Sequence, residues 1–333
     1  MRTSPNRRGT LRSLAATTLV AATALAAVAC SSDDGPRETD HPSVVASTDV
    51  WGSVAAAVGG EHAEVTSLFN SPGADPHEFE PSMADTAKIE DADVLVYNGG
   101  HYDAYVETAA ESSRALQVNA ASLLPGGVES LGGHDHDHEA GDEDEHADEH
   151  AGHNHSHDGA NEHVFYDLAL VGQVADKTAD ALAEVSPMNA QYYRDNAVAF
   201  NEGISELRGR LAAIKKAHDG TDVAATEPLS SYLLDEAGLV DIAPPAFTAA
   251  VENGQSPSAA DVATFTDLLQ NRKAAALLYN TQAVDPATQT VLQIARRSNV
   301  PVVELTESLP SGVTDYLAWQ SAQIEQLEQA LNA

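Results

Sequence analysis

The chain has one cysteine, Cys30, in 333 residues, so no disulfide can form within it and the fold must stand on its apolar core. Positive charge is scarce as well, with 17 Lys and Arg against 51 Asp and Glu and a formal net charge of −34. Such a surface repels nucleic acid and anionic lipid, which excludes both as binding partners, and it concentrates cations around itself. Long hydrophobic runs are nearly absent. The exception is residues 13–29, a run rich in Ala and Thr that is short and weakly apolar against the ~20 residues a bilayer span needs. Outside the histidine-rich stretch described below there is no H-E-x-x-H and no G-x-S-x-G segment, so two common hydrolase signatures are missing.

The same N-terminal region carries Arg2, Arg7, Arg8 and Arg12 with no acidic residue before the apolar run. A basic start followed by a small-residue apolar run reads as a secretory signal. Cys30 stands where the run stops, in Ala27-Val28-Ala29-Cys30, followed by Ser31-Ser32-Asp33-Asp34-Gly35. That is where a bacterial lipoprotein signal places the cysteine that is diacylated and becomes the new N-terminus. The expectation is a signal peptide over 1–29, a polar tether over 30–42, and a protein held on the outer face of the cell membrane by lipid on Cys30. What remains has 13 basic and 51 acidic residues, a net charge of about −38.

Roughly 300 residues at about 150 per domain allow two domains. Short β-branched runs at 43–47, 63–68 and 93–97 alternate with helical patterns at 50–58 and 82–91. Alternation of this kind predicts a parallel sheet with crossover helices. Residues 134–158 interrupt it with eight histidines (His134, His136, His138, His146, His150, His153, His155 and His157) and ten Asp or Glu. No core can be built from that composition, which predicts a disordered loop. A helix follows at 167–184, then a longer one within 187–218, with Tyr192, Tyr193, Ala197, Phe200, Ile204, Leu207, Leu211 and Ile214 at three- and four-residue spacing. About 30 helical residues span ~45 Å, long enough to run between two lobes. Strands at 222–226, 239–242, 274–279 and 301–305 then alternate with helices at 229–237, 258–269, 286–297 and 312–331. The predicted architecture is α/β: an N-terminal lobe over 43–186 and a C-terminal lobe over 219–333, each a parallel sheet flanked by helices, joined by one long rigid helix over 187–218.

Four segments carry candidate chemistry. The first is Gly73-Ala74-Asp75-Pro76-His77-Glu78-Phe79-Glu80-Pro81-Ser82, a proline-bounded loop after the second strand. Open α/β sheets bind ligands at the C-terminal ends of their strands, which is where this loop falls. The second is Asn161-Glu162-His163-Val164-Phe165-Tyr166-Asp167, in which aromatic and apolar residues mark the return of order at His163. In the third and fourth, Glu227 and Glu307 follow strand ends. Each has an ordinary structural reading, an incidental loop histidine or a helix N-terminal acid. Together they offer two imidazoles and two carboxylates to one interlobe cleft, a donor set suited to a divalent cation. His62, His101 and His218 read as surface or structural residues.

The segments DPHEFEPS at 75–82, EHVFYD at 162–167 and NAQYYRDNAVAF at 189–200, with the histidine-rich insert, resemble the metal-binding lipoproteins of zinc and manganese ABC transporters, the cluster nine or A-I solute-binding proteins. The resemblance covers essentially the whole chain beyond the signal. It implies two lobes joined by a rigid helix, a metal held between them by four side chains, delivery to an ABC permease with its ATPase subunit, a monomer, and no catalysis. His77 and His163 match the first two ligand positions and Glu227 the third. Glu307 stands at the fourth, where the family usually has Asp. Two imidazoles with two carboxylates suit Mn²⁺ and Fe²⁺ as well as Zn²⁺, whereas clustered imidazoles in the insert favour Zn²⁺ over Mn²⁺. Zinc is therefore the expected metal and manganese the alternative. The insert is expected to collect metal as an antenna whose grip fades below about pH 6.5. A metal-dependent adhesin or metal buffer, and a zinc hydrolase, are the rival classes.

Overall fold

A computed structural model describes residues 38–127 and 161–333. The signal segment, Cys30 and the eight-histidine stretch lie outside the described residues.

The N-terminal lobe begins with β1 (Ser43–Thr48), α1 (Asp49–Gly59) and β2 (Glu64–Phe69). It continues through α2 (Met83–Asp91), β3 (Val94–Tyr97), α3 (Ala104–Ala110) and β4 (Leu116–Asn119). All pairings are parallel and the strand order is β2-β1-β3-β4. Val44, Ala46, Val94 and Val96 are buried, as a parallel strand covered on both faces requires. Helix α1 starts where Thr48, in extended conformation, accepts a hydrogen bond from the Trp51 N–H. Its Val50, Trp51, Val54 and Val58 then turn into the core.

After the histidine-rich stretch come α4 (Leu168–Val185) and α5 (Ala190–His218). The 29 residues of α5 give a rod of about 43 Å. It buries Tyr193, Ala197, Phe200, Ile204, Leu207, Leu211 and Ile214, all but one of the predicted stripe. It packs on α1 and α4 at the N-terminal lobe and on two helices of the C-terminal lobe, α6 (Ser231–Ala237) and α10 (Tyr316–Leu331).

The C-terminal lobe repeats the plan with β5 (Asp222–Ala225), β6 (Val240–Asp241), β7 (Leu277–Asn280) and β8 (Val302–Leu305). Their order is β6-β5-β7-β8, again all parallel. The helices α7 (Pro245–Glu252), α8 (Ala259–Gln270) and α9 (Pro286–Arg297) complete it. Three elements were not predicted: α3, β4 and α7. Strand β4 is four residues long at a sheet edge, too short for periodicity to register. Helix α7 opens on Pro245 after Pro244, a pair that reads as a breaker although proline at the first helical position is favourable.

One apolar core runs continuously from α1 through α4 and α5 to α10. At its centre the one-turn helix Val164–Tyr166 is fully buried, with Phe165 edge-on to Trp51 at 6.5 Å and Tyr166 to Trp319 at 5.6 Å. No described helix is long and apolar enough to cross a membrane.

Candidate metal centre

Both sheets end in loops that meet across a cleft, and chemistry-bearing side chains converge there from segments far apart in sequence. His77 lies in the loop after β2. Asp75 accepts a hydrogen bond from the His77 backbone N–H at 2.9 Å, and Pro76 starts a single helical turn, Pro76–Glu78. Phe79 anchors the loop edge-on to Phe69 and Tyr105 at 5.8 and 5.4 Å. His77 itself keeps 30% of its side chain in solvent.

His163 is wholly buried at the start of the Val164–Tyr166 turn. Asn161 Oδ1 accepts from its backbone N–H at 3.0 Å and stands 2.8 Å from its Nδ1. Because Asn161 donates its own amide N–H to Pro228 O at 2.6 Å, its oxygen must face the ring, and Nδ1 must carry the proton. Nε2 is left as the nitrogen that can take a cation, and it has no hydrogen-bond partner among the described residues.

Glu307 stands two residues beyond β8, with 1% of its surface exposed. Its Oε1 accepts from Asn280 Nδ2 at 2.7 Å and its Oε2 from Tyr102 OH at 3.2 Å. The same Oε2 lies 3.2 Å from His77 Nε2 and 3.6 Å from His163 Nε2. Gln282 Oε1 accepts from the backbone N–H groups of Glu307 and Ser308 at 2.6 and 3.1 Å. Gln282 Nε2 donates to Ser308 Oγ and, across the cleft, to Ala74 O in the loop that carries His77. His77, His163 and Glu307 each offer one donor atom, and these atoms all lie within 4.8 Å of one another.

Glu227, two residues past β5, is 4% exposed and close enough for its charge to act on His163, with a buried Oε1 that has no hydrogen-bond partner among the described residues. It is not a member of the three-residue group whose donors lie within 4.8 Å. Two further acids that were not named as ligand candidates stand at the rim. Glu162 Oε1 is 3.9 Å from His77 Nδ1, and Glu252 Oε1, at the end of α7, is 3.7 Å from His163 Nδ1. His101 is exposed, and its neighbour Tyr102 is the residue that reaches the site. Among the supporting residues, Glu162 stood in a motif already singled out. Asn161 stood in the same motif, whereas Tyr102, Asn280 and Gln282 carried no spacing signal, since single polar residues become legible only once the strands are ordered.

The electrostatics follow from burial set against opposite charge. Burial alone would lower both imidazole pKa values, but the Glu307 hydrogen bond and charge hold His77 up at about 9. Burial of His163 is likewise overridden, by the charge of Glu252 and by Glu307, which raise it to about 10. Burial would raise Glu307, and the His163 and His77 rings, 3.6 and 3.2 Å from its Oε2, hold it well below the usual carboxylate range instead by their charge. Glu227 is pushed up by burial and by the Glu307 charge. Without a cation, then, imidazole protons balance the carboxylates, and a divalent ion would replace that charge from one point.

The model of the family described as ZnuA, zinc-uptake complex component A, periplasmic, matches residues 44–330. The chain belongs to this family. Among curated relatives it is 26% identical over 281 residues to the zinc-binding lipoprotein AdcA of Streptococcus pneumoniae, covering 82% of this chain and 52% of that one. It is 27% identical over 187 residues to the manganese-binding lipoprotein MntA of Bacillus subtilis, covering 54% of this chain and 52% of the relative. The chain thus spans about half the length of the curated relatives it matches. Among solved structures, the laminin-binding protein Lmb of Streptococcus agalactiae superposes with a TM-score of 0.67 at 23% identity, over 87% of this chain and 99% of that one. That likeness establishes the two-lobed fold of the family.

Proposed function

We propose that the protein captures a divalent transition metal outside the membrane, zinc first and manganese as the alternative, and passes it to an ABC permease with its ATPase subunit. The metal is its cargo, and no catalytic step is involved. His77, His163 and Glu307 bind it, Glu227 supplies the fourth side chain, and lipid on Cys30 holds the protein at the membrane. The observation that carries this reading is the meeting of three donor atoms within 4.8 Å from three distant segments, one of them a buried imidazole nitrogen with no other partner among the described residues. Buried polar atoms are rarely left unpaired, so an orphan aimed into a cluster of donors supports a ligand there. Two nitrogens and carboxylate oxygens are a donor set zinc accepts. The names of the zinc-binding and manganese-binding relatives support the same class of cargo. The acidic surface supports cation capture by raising the local cation concentration.

Elemental analysis of protein purified without added metal tests the reading. About one zinc per chain is expected in the parent, with the tight site lost in His77→Ala and weakened in Glu227→Ala. A parent free of bound metal that also fails to take up zinc or manganese on titration would refute it.

A further inference from the structure

The C-terminal sheet places one neutral residue between the two carboxylates. Strand order β6-β5-β7-β8 sets β7 between β5, which leads to Glu227, and β8, which leads to Glu307. The last residue of β7 is Asn280, paired with Leu305 of β8 and only 2% exposed. Its backbone N–H donates to Thr226 Oγ1 at 3.3 Å, tying it to the strand end that carries Glu227. Its Oδ1 accepts from the Gln282 N–H at 2.9 Å, which fixes the orientation of the amide and turns Nδ2 towards the carboxylates. From there it donates to Glu307 Oε1 at 2.7 Å, and the same side chain is the hydrogen-bonding group that favours the ionised form of Glu227.

The consequence is that Glu307 turns one oxygen to the amide and one into the cleft. For Glu307 the inward oxygen is Oε2, the atom facing both imidazoles. Glu227 Oε1 is buried and has no hydrogen-bond partner among the described residues. We propose that Asn280 determines metal specificity by holding Glu307 to one-oxygen ligation, so that the site favours a four-coordinate ion and discriminates against Mn²⁺. Structural and transport zinc sites are satisfied by four donors. Manganese favours six-fold, oxygen-rich coordination, which here would require the Glu307 oxygen that the amide holds back. This proposal rests on the capture reading above and names which cargo the site selects.

The test uses the full chain stripped of metal. Zn²⁺ and Mn²⁺ affinities are measured by chelator competition for the parent, Asn280→Ala and His77→Ala. Removing the amide frees Glu307 Oε1, and the preference for zinc over manganese is expected to fall by about 10-fold or more, the scale on which groups behind metal ligands act. Asn280→Ala lowering both affinities equally, with the ratio unchanged, would reduce Asn280 to a structural residue and overturn the proposal. X-ray absorption on the zinc-loaded parent gives a second reading that needs no variant. Four nitrogen or oxygen neighbours are expected, and five or six would overturn one-oxygen ligation. Full retention of both metals by His77→Ala would instead overturn the capture site itself, an outcome distinct from failure of the Asn280 role alone.

Discussion

Gln282→Met removes one polar side chain that ties both halves of the cleft together while keeping its length and most of its volume. In the parent, Gln282 accepts from two backbone N–H groups, of Glu307 and Ser308, and donates to Ser308 Oγ and Ala74 O. Both Glu307 and Ser308 are 1% exposed, so water cannot replace the lost acceptor. Two orphaned donors at about 1–2 kcal/mol each set an expected loss of about 3 kcal/mol in folding stability. Urea denaturation of the metal-free chain measures it. Zinc affinity should fall by about 10- to 100-fold as well, because Gln282 joins the strand end bearing Glu307 to the loop bearing His77. Gln282→Glu separates the two effects: its carboxylate still accepts from the N–H pair but cannot donate to Ala74 O, so stability should recover further than affinity. A Gln282→Met protein within 0.5 kcal/mol of the parent and with unchanged zinc affinity would refute the idea that this residue sets the geometry of the site.

Two other expectations follow from the same structure. With His77 held up at about 9 and His163 at about 10, both imidazoles are protonated at pH 7 in the metal-free protein, so capture must expel their protons. Apparent affinity should weaken by about 100- to 1000-fold per pH unit on acidification, and calorimetry in two buffers of different ionisation enthalpy should read between two and three protons released, the third from Glu227, which burial and the Glu307 charge push up; none released would mean neutral imidazoles and no charge balance of the kind described. In α5, a Cβ at Gly209 meets nothing within 4 Å, whereas one at Gly203 would lie 2.4 Å from Leu317 Cδ1. Gly209→Ala should therefore raise stability by about 0.5–1 kcal/mol and Gly203→Ala should lower it, as thermal melts of the two variants would show.

Much of this architecture was legible before any coordinates. Alternating β-branched runs and amphipathic stretches locate most strands and helices to within a few residues, and the stripe from Tyr193 to Ile214 marks the long helix along almost its whole length. His77, His163 and Glu307 were legible because each follows a strand end or a return of apolar residues, and the fold brings these three together. Glu227 was named on the same grounds, and it lies close enough for its charge to act on His163 without joining the tight group. Glu252 was not legible, because α7 opens on two prolines and was not recognised as a helix. Asn280 was not legible for a different reason: its role depends on β7 lying between β5 and β8, and strand order is a property of the assembled sheet.

The site is asymmetric in its access to solvent. His163 and Glu307 are sealed to 0% and 1% of their side-chain surface, and only His77 remains open, at 30%. Two of the three donors thus form a fixed back wall, and the third hangs on a loop held by aromatic edges and a few hydrogen bonds. His77 is therefore the donor of the three that solvent reaches, and an incoming ion would meet its imidazole before the two sealed side chains.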